Sequence, residues 1–142
     1  RRSPLIRKAI ELILHHPAAG TKLEEVKGLA QVRQPGAELL RRLLETVAEN
    51  PQITTAGLLE RFRDDREGQH LGRLAGEIPL DDGDAAPRVL QDNLERIVEG
   101  YRKERLGALL ARDRDLEPDE RSELEGLLRE TPPSQGSPEN QA

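Results

Sequence analysis

The chain has 142 residues and a formal net charge of −5, and its hydrophobic fraction of 35% equals its charged fraction. It contains no cysteine, which excludes a disulfide framework, a thiolate nucleophile and a cysteine-based zinc site. Phe62 and Tyr101 are its only aromatic residues, whereas 23 leucines recur mostly at helical spacing, so the composition excludes a β-rich fold and predicts an all-α one.

The first predicted helix has clear start and stop signals. Ser3 is a suitable N-cap and Pro4 suits the first helical position, while Pro17 and Gly20 end the helix. A weaker helical segment follows and ends at the sequence "RQPG"; its apolar residues are Leu23, Val26 and Leu29. The chain lacks an initial methionine, and we therefore expect it to be the C-terminal piece of a larger protein.

Three more short helices are predicted before residue 80. A leucine repeat over residues 39–47 has a period of 3.6 and ends at Pro51. Thr54 is placed to cap the next helix, which carries Leu58, Leu59 and Phe62. The last of the three closes at Pro79 and carries Leu71, Leu74 and Ile78. These segments predict a bundle of five short helices.

The C-terminal part of the chain predicts a helical hairpin. A helical pattern continues without a breaker from Pro87 to about Arg112, roughly 39 Å at 1.5 Å per residue, and another helix begins at Pro118. We expect five leucines on the facing sides of this hairpin and Leu116 in its turn; the five are Leu109, Leu110, Leu124, Leu127 and Leu128. A two-helix hairpin this small buries too little apolar surface to be stable alone, which predicts a partner.

These patterns divide the chain into three parts. We expect a helical bundle in residues 1–100, a projecting helical hairpin in residues 101–130 and a disordered tail in residues 131–142. No apolar run approaches the roughly 18 residues that a bilayer requires, so no membrane segment is expected. The fold class is therefore all-α, an N-terminal bundle joined by a long helix to a C-terminal hairpin.

The sequence holds no recognisable catalytic or metal motif. His15 and His16 are adjacent on a helix and point in different directions, so they predict neither a metal site nor a cofactor site. The basic start is more informative, because Arg7 and Lys8 place cationic groups beside an apolar strip that contains Ile6 and Ile10. This pattern is compatible with an ordinary solvated N-terminus or with a shallow pocket for a short peptide that is acidic and apolar.

The order of these features resembles the C-terminal, helicase-binding domain of bacterial DNA primase of the DnaG type. The likeness covers residues 4–130 and rests on "SPLIRKAIELILHHP", "LLRRLLETVAENPQITTAGLLERFRD" and "ERLGALLARDRDLEPDERSELEGLL" in that order. It implies a two-part helical domain that docks on the N-terminal domains of the hexameric replicative helicase. It also implies that the zinc-binding and RNA-polymerising domains lie upstream, so this chain is itself no enzyme and works in the cytoplasm at the replication fork.

The resemblance implies two binding sites. The hairpin would contact the helicase through its five leucines, Leu116, Arg112, Arg114 and Arg121. The first helix would receive the acidic C-terminal tail of the single-stranded-DNA-binding protein through Arg2, Ile6, Arg7 and Ile10. A lysine that the family uses in a loop has no clear equivalent here, because Gly83 stands in its place; Arg88 is a candidate substitute.

Two other functions are compatible with the sequence. The chain could be a helical regulatory bundle, or a helicase N-terminal-like one, that self-associates through the hairpin, whereas the primase interpretation predicts a monomer in isolation. Direct binding of nucleic acid requires a contiguous basic face, which a net charge of −5 disfavours.

Overall fold

A computed structural model describes residues 3–79 and 82–130, which form helices and no strand. The six α-helices are α1 (Pro4–His15), α2 (Ala37–Glu49), α3 (Thr55–Arg61), α4 (Leu71–Ala75), α5 (Ala86–Ala111) and α6 (Pro118–Glu130). Short 3-10 turns occur at Pro17–Lys22, Leu29–Gln31, Glu67–His70 and Asp113–Asp115. The all-α prediction is confirmed, and no helix among these residues is long and apolar enough to cross a membrane.

The chain divides into two compact units, unit 1 (Arg1–Val98) and unit 2 (Glu99–Ala142). The division into a bundle at 1–100 and a projecting hairpin at 101–130 stays a prediction. The predicted tail at 131–142 lies outside the described residues. Helix α5 begins in unit 1 and ends in unit 2.

Unit 1 is built around α1, which packs against α2, α3 and α4. The predicted N-cap is confirmed, because the Ser3 hydroxyl accepts a hydrogen bond from the backbone N–H of Ile6 at 3.2 Å. Polar contacts then fix the neighbouring helices. The buried amide of Asn93 on α5 donates to the Leu5 carbonyl at 3.1 Å, and the Thr55 hydroxyl on α3 donates to the Leu14 carbonyl at 2.6 Å.

Two of the five predicted short helices differ from expectation. The weak segment around Val26 is not α-helical, because Gly28 adopts a left-handed conformation with φ of 91° and only a 3-10 turn follows it. The last of the five ends at Ala75, so Ile78 lies beyond it and is 86% exposed. Gly76 and Pro79 explain that early end, since both residues disfavour continuation of a helix.

Unit 2 contains the last part of α5, the 3-10 turn and α6. Glu117 precedes α6, and its backbone N–H donates to the Glu120 carboxylate at 3.0 Å, which satisfies a donor at the start of the helix. Asp119 and Glu120 lie in the first turn of α6, where acidic side chains are favoured by the helix dipole.

Candidate interaction surfaces

The leucines of unit 2 fall into a buried and an exposed class. Leu109 is fully buried and Leu124 nearly so, whereas Leu110 is 49% exposed and Leu128 is 52% exposed. Leu116 and Leu127 are half-buried. The expectation that all five leucines face one another is therefore wrong for Leu110 and Leu128. Neighbouring residues of a helix point about 100° apart, so Leu109 and Leu110 cannot share one buried face.

Bidentate ion pairs connect α5 to α6 within unit 2. Arg105 donates to both carboxylate oxygens of Glu123, at 2.8 and 3.0 Å. Arg112, at the end of α5, donates to both oxygens of Glu120, at 2.9 and 3.2 Å. A planar guanidinium matches a carboxylate in this geometry, so each pair fixes an orientation as well as a distance.

The pairs also shift the pKa values of Glu120, Arg112 and Arg105. The hydrogen bond from Arg112, and next that from the Glu117 N–H, lowers the pKa of Glu120 below its ordinary value near 4.5. The hydrogen bond to Glu120 raises the pKa of Arg112, and the hydrogen bond to Glu123 raises the pKa of Arg105. Both pairs lie near the protein surface, so their attraction weakens as the salt concentration rises.

The three arginines predicted as polar contacts differ in their surroundings. Arg112 is engaged by Glu120, and Arg121 donates to the Asp113 carbonyl at 2.6 Å while also pairing with its carboxylate. Arg114 is exposed, and within the described part of the chain its side chain forms no ion pair or hydrogen bond. Arg114 is thus the one of the three whose donors are available without breaking an internal contact.

The residues predicted for the acidic-peptide pocket are only partly at the surface. Ile6 and Ile10 are fully buried, so they belong to the core of unit 1 and cannot line an open pocket. Arg7 is exposed and pairs with Glu11 and Glu77, each at 3.2 Å. Arg88 is exposed on α5, and Arg2 lies outside the described residues.

Gly83, the loop position expected near that pocket, lies close to the C-terminal end of α1. A Cβ built on Gly83 would be 3.6 Å from His16, the residue that follows α1, whereas Arg7 is in the first turns of the helix. His16 is nine positions after Arg7, which corresponds to about 13 Å along a helix. The structure therefore does not bring Gly83 to Arg7.

Arg7 instead belongs to a cleft of about 890 Å³ in unit 1. Arginines and a histidine from the segment before and within α4 share the lining; they are Arg66, His70 and Arg73. This cluster was not among the predicted site residues. A signal was available, because positions 66, 70 and 73 have the i, i+4, i+7 spacing of a single helix face.

The described residues contain no group of three or more histidine, cysteine, aspartate or glutamate side chains that is arranged to hold a metal ion. The geometry of both units is that of charged surfaces with isolated apolar side chains. Such surfaces suit the binding of proteins or peptides.

Comparisons with known proteins agree with this description. Residues 6–127 match the family model described as DNA primase DnaG DnaB-binding. DNA primase of Escherichia coli K12 is 29% identical over 127 residues, which cover 88% of this chain and 22% of that protein. DNA primase of Pseudomonas aeruginosa is 30% identical over 88 residues, 62% of this chain and 12% of the relative.

A solved structure gives the same result. The DnaG primase C-terminal domain from Vibrio cholerae matches with a TM-score of 0.65 and 29% identity, and the match covers 89% of this chain and 97% of that one. This chain spans about a fifth of the length of the curated Escherichia coli relative.

Proposed function

This chain belongs to the DnaB-binding domain family of DnaG primases, and from that premise we propose that unit 2 docks on the N-terminal domains of the replicative helicase. The docking brings primer synthesis to the replication fork in the bacterial cytoplasm. The chain contributes binding and no catalytic step, and the polymerising and zinc-binding parts of the parent protein lie upstream of it.

The observation that carries this proposal is the exposure of two large leucines on a small charged unit. Leu110 and Leu128 are about half exposed, although Leu109, next to Leu110, and Leu124, one helical turn before Leu128, are buried. When a partner covers an exposed leucine, the side chain is removed from water. Complete burial of a leucine contributes up to about 1.5–3 kcal/mol to the free energy of binding. Arg114 adds a cation that is available for a partner carboxylate.

The decisive experiment is a titration of this chain against the isolated N-terminal region of the helicase from the same organism, at low and high salt. We expect saturable binding that is lost on truncation after Leu106. Leu110→Ala and Leu128→Ala should each weaken binding by about tenfold, roughly 1.4 kcal/mol, with helicity unchanged.

A matched control separates contact from folding. Leu124→Ala removes a buried leucine from the same helix as Leu128, so it should lower the melting temperature together with the affinity. Absence of binding by the intact, folded chain would contradict the docking proposal. A molar mass that rises with concentration would favour a bundle that self-associates instead.

We further propose that unit 1 binds the acidic C-terminal tail of the single-stranded-DNA-binding protein. Arg7 supports this site, because its guanidinium is exposed on α1 and already donates to the carboxylates of Glu11 and Glu77. The buried positions of Ile6 and Ile10 restrict their role to supporting α1 from the core. Arg2 and Arg88 remain predicted contributors to the site.

A further inference from the structure

The last turns of α5 carry an uncharged run in a unit that is otherwise rich in charge. Residues 106–111 read LGALLA, and no acidic or basic side chain interrupts them. Leu109 is fully buried, whereas Leu110 and three small residues around it are exposed; the three are Gly107, Ala108 and Ala111. The outer side of α5 therefore presents an apolar face to water, with charged residues before and after it. Faces of this kind mark sites of contact with other proteins.

Gly107 is the residue of this face that the fold of the chain does not explain. It lies inside α5, one turn before the last residue of the helix, and its φ is not positive. A Cβ built on it would meet no atom of the described chain within 4 Å. Glycine inside a helix is less favourable than alanine, so a glycine with neither a turn nor a close neighbour to require it indicates a backbone that another molecule approaches.

Leu110 provides an apolar anchor beside that position. It follows Gly107 by three residues, so the two lie next to each other on one side of the helix. Its side chain is 49% exposed. Packed helices lie about 8–10 Å apart, depending on the side chains at the contact, and the shorter distances require small residues there. A partner helix that crosses α5 at Gly107 would therefore also cover Leu110.

Two available cations flank the same face. Lys103 lies one helical turn before Gly107, and Arg114 follows the end of α5. Both side chains are exposed, and among residues 3–79 and 82–130 neither of them finds an ion-pair or hydrogen-bond partner. A complementary surface would therefore be an apolar helix with carboxylates on either side of it.

We propose that a helix of the helicase N-terminal domain packs across α5 at Gly107, where the absence of a side chain lets the two backbones approach each other and the same contact buries Leu110. The match of residues 6–127 to a DnaB-binding family supports the helicase as the occupant. This inference rests on the proposed docking and adds which face of unit 2 the helicase meets. Gly107 then determines specificity through its size alone.

The test is a titration of the 142-residue chain and its variants against the isolated N-terminal region of the helicase from the same organism. Circular dichroism gives the melting temperature of each variant. Gly107→Ala should melt about 2–4 °C higher, because alanine favours the helix, and yet bind the helicase about fivefold more weakly. Gly107→Leu should be at least as stable as the wild type and bind about fiftyfold more weakly, because a larger side chain holds the two backbones further apart.

Gly100→Ala is the matched control. Gly100 is exposed on the same side of α5, about 10 Å before Gly107, and a Cβ there also meets open space. This variant should gain the same stability and keep the affinity of the wild type. A loss of affinity together with a gain in stability at position 107, and not at position 100, would separate a contact from an effect on folding.

The outcomes distinguish this inference from the docking proposal. If the wild-type chain does not bind the helicase region, docking is wrong and the contact at Gly107 falls with it. If Leu110→Ala weakens binding while both Gly107 variants bind like the wild type, docking stands and the close approach is wrong. Equal losses in Gly100→Ala and Gly107→Ala would assign the effect to a stiffer α5 and overturn the contact. Self-association of the wild type that disappears in Gly107→Leu, with helicase binding unchanged, would assign the face to a second copy of the chain and also overturn it.

Discussion

Unit 1 and unit 2 are held together by different interactions. Of the twelve largest side chains that are fully buried among the described residues, eleven belong to unit 1 and only Leu109 belongs to unit 2. Unit 2 relies instead on ion pairs at its surface, which are Arg102–Glu130, Arg105–Glu123, Arg112–Glu120 and Arg121–Asp113. Exposed ion pairs contribute little to the free energy of unfolding, and salt weakens them further. Buried apolar area contributes more, and salt does not screen it.

This difference suits the two proposed tasks. A unit with a full apolar core keeps its shape without a partner, and can present a site for a short peptide. A unit with one or two buried leucines and several charge pairs has little stability of its own, so contact with a large partner stabilises it. The comparison predicts that unit 2 opens at lower free energy than unit 1.

The largest expected effects come from cavities in the two cores. Leu43→Ala in unit 1 and Leu109→Ala in unit 2 each remove a fully buried leucine and should cost about 2–5 kcal/mol. Hydrogen exchange followed by mass spectrometry should show lost protection over α1 and α2 in the first variant. In the second, the loss should be confined to residues 99–130. Equal loss of protection across both units in either variant would show that the units unfold as one.

A smaller effect is expected from a close approach inside unit 1. A Cβ at Gly68 would collide with the backbone carbonyl of Phe62, so Gly68→Ala should destabilise unit 1 by about 1–3 kcal/mol in urea denaturation. Gly72→Ala is the matched control, because a Cβ there meets open space within α4 and should leave stability unchanged or slightly raised. Similar midpoints for the two variants would contradict the packing described for Gly68.

The smallest effect concerns the Arg112–Glu120 ion pair between the end of α5 and the start of α6. The folded protein lowers the pKa of Glu120, so the pair adds stability above the ordinary carboxyl value near 4.5. That stability is lost as the pH falls through the lower pKa of the folded state. Helicity followed by circular dichroism should therefore decrease over this acidic range, less steeply in Glu120→Gln. An unchanged acid transition in Glu120→Gln would show that other carboxylates control it.

Much of the helical architecture follows from local sequence signals. Ser3 and Thr54 cap α1 and α3 as predicted, and the leucine repeat over 39–47 lies inside α2. The sequence also placed α6 at Pro118, because proline and first-turn acids are favourable there. The two misplacements, around Val26 and at Ile78, involve weak patterns beside glycine or proline.

The candidate sites were less accessible to the same reasoning. Helical spacing identified Ile6 and Ile10 as an apolar strip, yet the strip faces the core, and a pattern alone does not distinguish a core face from a pocket. The basic face formed by Arg66, His70 and Arg73 does have a readable spacing, but its meeting with Arg7 depends on contacts between α1 and α4.

Sequence by itself determined the helical class, most helix ends and the resemblance to the DnaG domain, because caps, breakers and apolar periods act within a few residues. The tertiary structure decided which leucines of unit 2 stay exposed, which arginines are already paired and which basic residues share a cleft. Those properties depend on how helices distant in sequence pack against one another, and packing determines the burial and the charge that a partner meets.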